Sequence, residues 1–105
     1  MRDKGKRTTD ALEIMNRRYY KTAERRAALE EARVNAEAAR LIYELRNEAN
    51  LTQQQLADLV NTTQSVISRL EDDDYDGHSL KMLARISAVL NRRLVLTAKP
   101  VKEIA

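Results

Sequence analysis

The chain is 105 residues long and carries 19 Lys/Arg against 16 Asp/Glu, a net charge of +3. That length accommodates one small core plus extra segments, not two full cores. It contains no cysteine, which excludes disulfides and thiolate metal sites, and no apolar run approaches membrane-spanning length.

The only aromatic residues besides one histidine are four tyrosines, so aliphatic side chains and alanine must fill whatever core exists. A basic balance favours a polyanionic partner, but the surplus is uneven. Residues 1–50 hold 12 Lys/Arg and 9 Asp/Glu, whereas residues 51–105 hold seven of each. The opening MRDKGKRTTD is charged and is not followed by the apolar stretch of a signal peptide, so a soluble, cytoplasmic protein is expected.

Glycine occurs only at Gly5 and Gly77 and proline only at Pro100. Nothing between Lys6 and Asp76 breaks a helix sterically, so element boundaries there must come from caps and polar turns. Met1–Thr9 reads as a frayed basic tail. Asp10 and Glu13 have capping-pair spacing and would open a helix through ALEIMNRRYY. From Thr22 to Asn50 strong helix formers dominate. Between Ala23 and Ala36 the apolar stripe is mostly alanine, with Leu29 the one large residue. Beyond it Ala38, Leu41, Ile42, Leu45 and Ala49 form a helical face able to enter a core. Residues 1–37 are therefore assigned to a basic tail and helical arm, and residues 38–91 to a globular domain. A helix draped over that same domain is the alternative.

Within the arm, IMNRRYYKTAERRAAL groups Arg17, Arg18, Tyr19, Tyr20, Arg25 and Arg26. These residue types concentrate at binding hot spots, and two adjacent tyrosines on a thinly apolar helix are hard to bury within the chain. A protein partner, a nucleic acid or plain solvent are the three possible neighbours of that patch.

LTQQQLADLVNTTQSVISRLE, residues 51–71, reads as two short helices around a polar turn. Thr52 and Gln55 have capping-box spacing, so the first helix starts at Gln53. Leu56 and Val60 point inward, and small Ala57 permits a close crossing. Asn61 tolerates positive φ where glycine would be usual. Thr63 caps the second helix, whose Val66, Ile67 and Leu70 face inward and leave Gln64, Ser65, Ser68 and Arg69 outward. Gln can bond adenine N6 and N7, Arg can bond guanine O6 and N7, and Ser or Thr serve bases or phosphates. Gln53 stands where a first helix crosses the DNA backbone.

An acidic loop, EDDDYDGH, follows. Ser79 then caps LKMLARISAVLN, with Leu80, Leu83, Ile86, Val89 and Leu90 on one face. RRLVLTAK reads as a strand in residues 92–105. A lone strand needs a partner for its backbone groups, and Leu94, Val95 and Leu96 of a second copy would supply it about a two-fold axis. A disordered tail is the alternative. Enzymatic readings find no support: His78 stands alone in a loop, and no phosphate loop, nucleophile elbow or metal-ligand spacing occurs. No cofactor is expected.

Residues 51–71 resemble the Xre/Cro-type helix-turn-helix of phage repressors, with Leu51, Thr52, Gln53, Leu56, Ala57, Val60, Thr63, Gln64, Ile67, Leu70 and Glu71 at family-typical positions. The wider resemblance covers Ala38 to Asn91. It implies an all-α, lambda-repressor-like domain binding double-stranded operator DNA as a homodimer, with Gln53 on phosphate and Gln64, Ser65 and Arg69 on bases. Two departures stand out: Asn61 replaces a common glycine, and the aspartates after the second helix would repel phosphates unless the loop turns away. The whole architecture, with its long N-terminal helical arm and one C-terminal β-strand, looks like HigA-type antitoxins. That likeness implies neutralisation of a RelE/HigB-like toxin together with repression of the operon. A stand-alone repressor and an inhibitor or scaffold that no longer reads DNA are the competing readings.

Overall fold

A computed structural model describes residues 2–101, with side chains from residue 10 onward. Among the described residues four helices follow one another: α1 (Arg2–Glu48), α2 (Gln53–Leu59), α3 (Gln64–Leu70) and α4 (Leu80–Val89). The chain divides into two compact units, Met1–Val34 and Asn35–Ala105.

In the first unit every described side chain, from Asp10 to Val34, is exposed. Helicity here is a local matter. Ala, Glu, Arg and Leu favour it, and no breaker interrupts it. Glu30 and Arg33, one turn apart, form an exposed ion pair at 2.9 Å, and the hydrogen bond from Arg33 holds the Glu30 carboxyl below its ordinary pKa. Tyr19 and Tyr20 meet edge to face at 5.7 Å. Two expectations are corrected. The segment expected as a frayed tail is helical from Arg2, and Asp10 with Glu13 lies inside α1 instead of opening it. A capping residue embedded in a run of good helix formers has free N–H groups to satisfy only if the helix stops there, and nothing stops it.

The second unit holds the core. Ile42 from α1, Leu56, Ala57 and Val60 around α2, Ile67 and Leu70 from α3 and Ile86 from α4 are buried together. Val66, Tyr75, Met82, Leu83 and Leu90 pack against them. Ala38 and Ala39 are also buried. On α4 the buried face is narrower than the apolar pattern suggests. Leu80 and Val89 are 60% and 41% exposed, while Ser87 is buried and its hydroxyl donates to the Leu83 carbonyl at 2.8 Å. That back-bond satisfies a polar group on a face centred on Leu83, Ile86 and Leu90.

Caps delimit these short helices. Thr52 forms the full capping box with Gln55, Thr63 accepts from the Val66 amide, and Ser79 accepts from the Met82 amide. Three helices end on asparagine: Asn50, Asn61 and Asn91 have φ of 57°, 60° and 61°. After each, the next amide reaches back five residues, Leu51 to Arg46, Thr62 to Ala57 and Arg92 to Ser87. This is the Schellman closure usually supplied by glycine. α3 ends differently. His78 Nε2 donates to the Leu70 carbonyl at 2.6 Å, and its buried Nδ1 has no hydrogen-bond partner among the described residues. Tyr75 packs edge-on against His78 at 5.2 Å and covers Gly77, where any Cβ would overlap the phenol.

The expected C-terminal strand is not formed, and no β-strand occurs among the described residues. Leu94 is half-buried and Val95 and Leu96 are 71% and 69% exposed on a segment without regular secondary structure. Alternation fixes which side each residue would face; it does not create the neighbouring strand that a ladder requires. Residues 102–105 of that expectation lie outside the described residues. Among the described residues no helix is long and apolar enough to cross a membrane.

Candidate nucleic-acid interface

The candidate interface is built on α2, the turn at Asn61 and α3. Ala57 is fully buried, and its carbonyl accepts the Thr62 amide at 2.9 Å, so the chain can reverse tightly against α2. α3 then lies with Ile67 and Leu70 in the core and Val66 half-buried. Helical periodicity leaves Gln64, Ser65, Ser68 and Arg69 exposed on its other side. Thr63 is exposed as well, its hydroxyl oxygen engaged by the Val66 amide at 3.3 Å.

Gln53 is half-buried and joins a continuous chain of hydrogen bonds. Arg46 grips the Glu71 carboxylate through Nε at 2.6 Å and Nη2 at 3.0 Å, and its Nη1 donates to the Leu51 carbonyl at 2.8 Å. Glu71 Oε1 also accepts from Gln53 Nε2 at 3.2 Å, and Gln53 Oε1 accepts from Gln64 Nε2 at 2.7 Å. Donor and acceptor logic fixes both amides. A carboxylate only accepts, so the Gln53 nitrogen must face Glu71 and its oxygen must face Gln64. Gln64 is left with its carbonyl oxygen and one N–H, the pair that adenine N6 and N7 require.

The ion pair at the root of this chain is buried, with side-chain exposures of 12% for Arg46 and 5% for Glu71. The hydrogen bond to Glu71 raises the Arg46 guanidinium above its ordinary pKa, against the opposing effect of burial. Arg46 also lies 5.5 Å from the Tyr43 ring centroid, a cation–π contact. Sequence reasoning missed Arg46 altogether and placed Glu71 in the acidic loop. The available signal was Arg46's position one turn after Ile42 on the core face of α1, where a cation requires a partner. Glu71 turns inward to meet it, while Asp72, Asp73, Asp74 and Asp76 are exposed.

The remaining sequence-derived candidates lie elsewhere. Arg17, Arg18, Tyr19, Tyr20, Arg25 and Arg26 are exposed on the first unit. His78 is occupied as a helix stop. A shallow depression of about 220 Å³, lined by Leu45, Glu48, Ala49, Leu90 and Arg92, is partly closed by an exposed Glu48–Arg92 ion pair at 3.1 Å. No cluster able to hold a metal ion occurs among the described residues.

A family model described as helix-turn-helix matches residues 42–96, just over half of the chain. No curated protein shows significant similarity to it.

Proposed function

The chain belongs to the helix-turn-helix family, Xre/Cro type, whose domains are sequence-specific DNA-binding regulators and not enzymes, and from that premise we propose how it acts. α3 enters the major groove of an operator. Gln64 reads adenine, Arg69 reads guanine, and Ser65 and Ser68 contact neighbouring edges. Thr63 and Gln53 hold the phosphate backbone. One observation supports this reading above others: α3 anchors Ile67 and Leu70 in the core and leaves four polar readers uncovered. Two half-sites require two copies, so the protein acts as a homodimer; the absent ladder at Leu94–Leu96 gives no support to joining them through that segment.

We further propose that the protein is the antitoxin of a type II toxin–antitoxin operon. Residues 1–37 form the arm that captures a RelE/HigB-like toxin through Arg17, Arg18, Tyr19, Tyr20, Arg25 and Arg26, and residues 38–91 repress the operon. The exposure of both tyrosines, 70% and 63%, supports a role in binding.

Footprinting on the gene's own promoter tests the first proposal. Arg69→Ala should lose about 1–3 kcal/mol of operator affinity and relax one base position. Equal binding by both proteins removes Arg69 from the reader set. Co-expression with a neighbouring basic gene product tests the second. A Tyr19→Ala/Tyr20→Ala variant should fail to co-purify it while still protecting the same footprint. If there is no such product, the stand-alone repressor is the better reading.

A further inference from the structure

The two units differ in charge in a way that the recognition helix does not explain. Asn35–Ala105 carries nine Lys/Arg and ten Asp/Glu, whereas Met1–Val34 carries ten Lys/Arg and six Asp/Glu. The unit holding the recognition helix is therefore formally negative, although affinity for duplex DNA rests largely on cations that displace counterions. The arm carries the cations.

They are also arranged. Arg18, Lys21 and Arg25 recur at i, i+3 and i+7, and Arg26 stands beside them, so all four share one side of α1 within about 12 Å of helix rise. Between residues 18 and 26 the one carboxylate is Glu24, which stands three residues after Lys21 at one edge of this side, toward Glu13 and Glu31. Glu30, nearer the basic face, is already paired with Arg33. All four cations are exposed, and none of them forms an ion pair among the described residues. Tyr19 stands at the edge of this side beside Arg26 and is 70% exposed.

We propose that this face of the arm is a second, sequence-independent DNA contact, in which Arg18, Lys21, Arg25 and Arg26 neutralise backbone phosphates. The charge complementarity selects a polyanion, and the neutral-to-acidic reader unit supplies the need for one. α3 then sets sequence preference, while the arm supplies most of the salt-dependent affinity. Arg18, Arg25 and Arg26 also belong to the toxin-binding face proposed above, so the two occupants exclude each other. The experiment is therefore done without any toxin, and its result does not depend on the antitoxin reading.

The test compares the full-length protein with a variant carrying Arg18→Gln, Lys21→Gln, Arg25→Gln and Arg26→Gln, which keeps helix-forming side chains. Binding to a random-sequence duplex is measured between about 50 and 200 mM salt, and circular dichroism checks that helix content is unchanged. The slope of log affinity against log salt should fall by about three to four per bound chain in the variant, roughly one for each lost phosphate contact. Equal slopes in parent and quadruple variant would overturn the proposal, as would failure of the parent to bind random duplex at the lowest salt. Preferential binding of a polyglutamate peptide over duplex would assign the face to an acidic protein surface and also overturn it.

Discussion

Asp10–Val34 and Asn35–Ala105 draw on much the same residues, and both contain long helical stretches, but only the second buries anything. In the first, Ala23, Ala27, Ala28 and Ala32 remain exposed around Leu29, which is itself 68% exposed. In the second, Ala38 and Ala39 are buried alongside Ile42. Helix formation is decided within a few residues by propensity, whereas burial depends on large aliphatic side chains arriving from other elements. The arm has the first property without the second, so it should be nearly silent in stability and sensitive in binding.

The largest effect expected from this contrast is in the core. Ile67→Ala should cost about 2–5 kcal/mol in urea-induced unfolding, because a fully buried side chain leaves a cavity between α2, α3 and α4. Its counterpart in the arm, Leu29→Ala, should stay within about 0.5 kcal/mol. A comparable loss at Leu29 would mean that the arm is packed, and the contrast would fail. Next in size is Glu71→Ala, expected to cost about 3 kcal/mol by leaving Arg46 buried without its partner. It should also weaken operator binding, because Gln53 loses the acceptor that orients it. Unchanged operator affinity at matched folded fraction would separate that carboxylate from recognition. The smallest effect is at the turn. Asn61→Ala should cost about 1 kcal/mol, since alanine resists a φ of 60° more than asparagine does, and Asn61→Gly should recover most of it.

The globular part was largely legible in the sequence, because its signals are local and mutually consistent. Thr52, Thr63 and Ser79 cap the helices expected of them, Asn61 adopts the positive φ expected of it, and the inward sets Leu56/Val60 and Ile67/Leu70 are buried. What escaped depends on partners distant in the chain. The Arg46–Glu71 pair joins residues 25 positions apart, and neither residue announces the other. Nothing near Gly77 in the sequence signals that Tyr75 lies over it. The strand at Leu94–Leu96 failed for the opposite reason: its local pattern was present, but among the described residues no neighbouring strand is supplied. Asp10 failed because a cap is a cap only where a helix begins.

The amide-to-amide bond between Gln53 and Gln64 has a consequence for how such a protein can diversify. A change at Gln64 that reads a different base removes the donor to the Gln53 oxygen, and a change at Gln53 removes one of the two donors to Glu71 Oε1, leaving Arg46 Nη2 on it. Evolution or design toward a new operator therefore moves most easily in coordinated steps, with residues 53 and 64 exchanged as a set and the Arg46–Glu71 anchor inherited unaltered. Libraries that vary both positions together should yield altered specificities that single-site libraries miss.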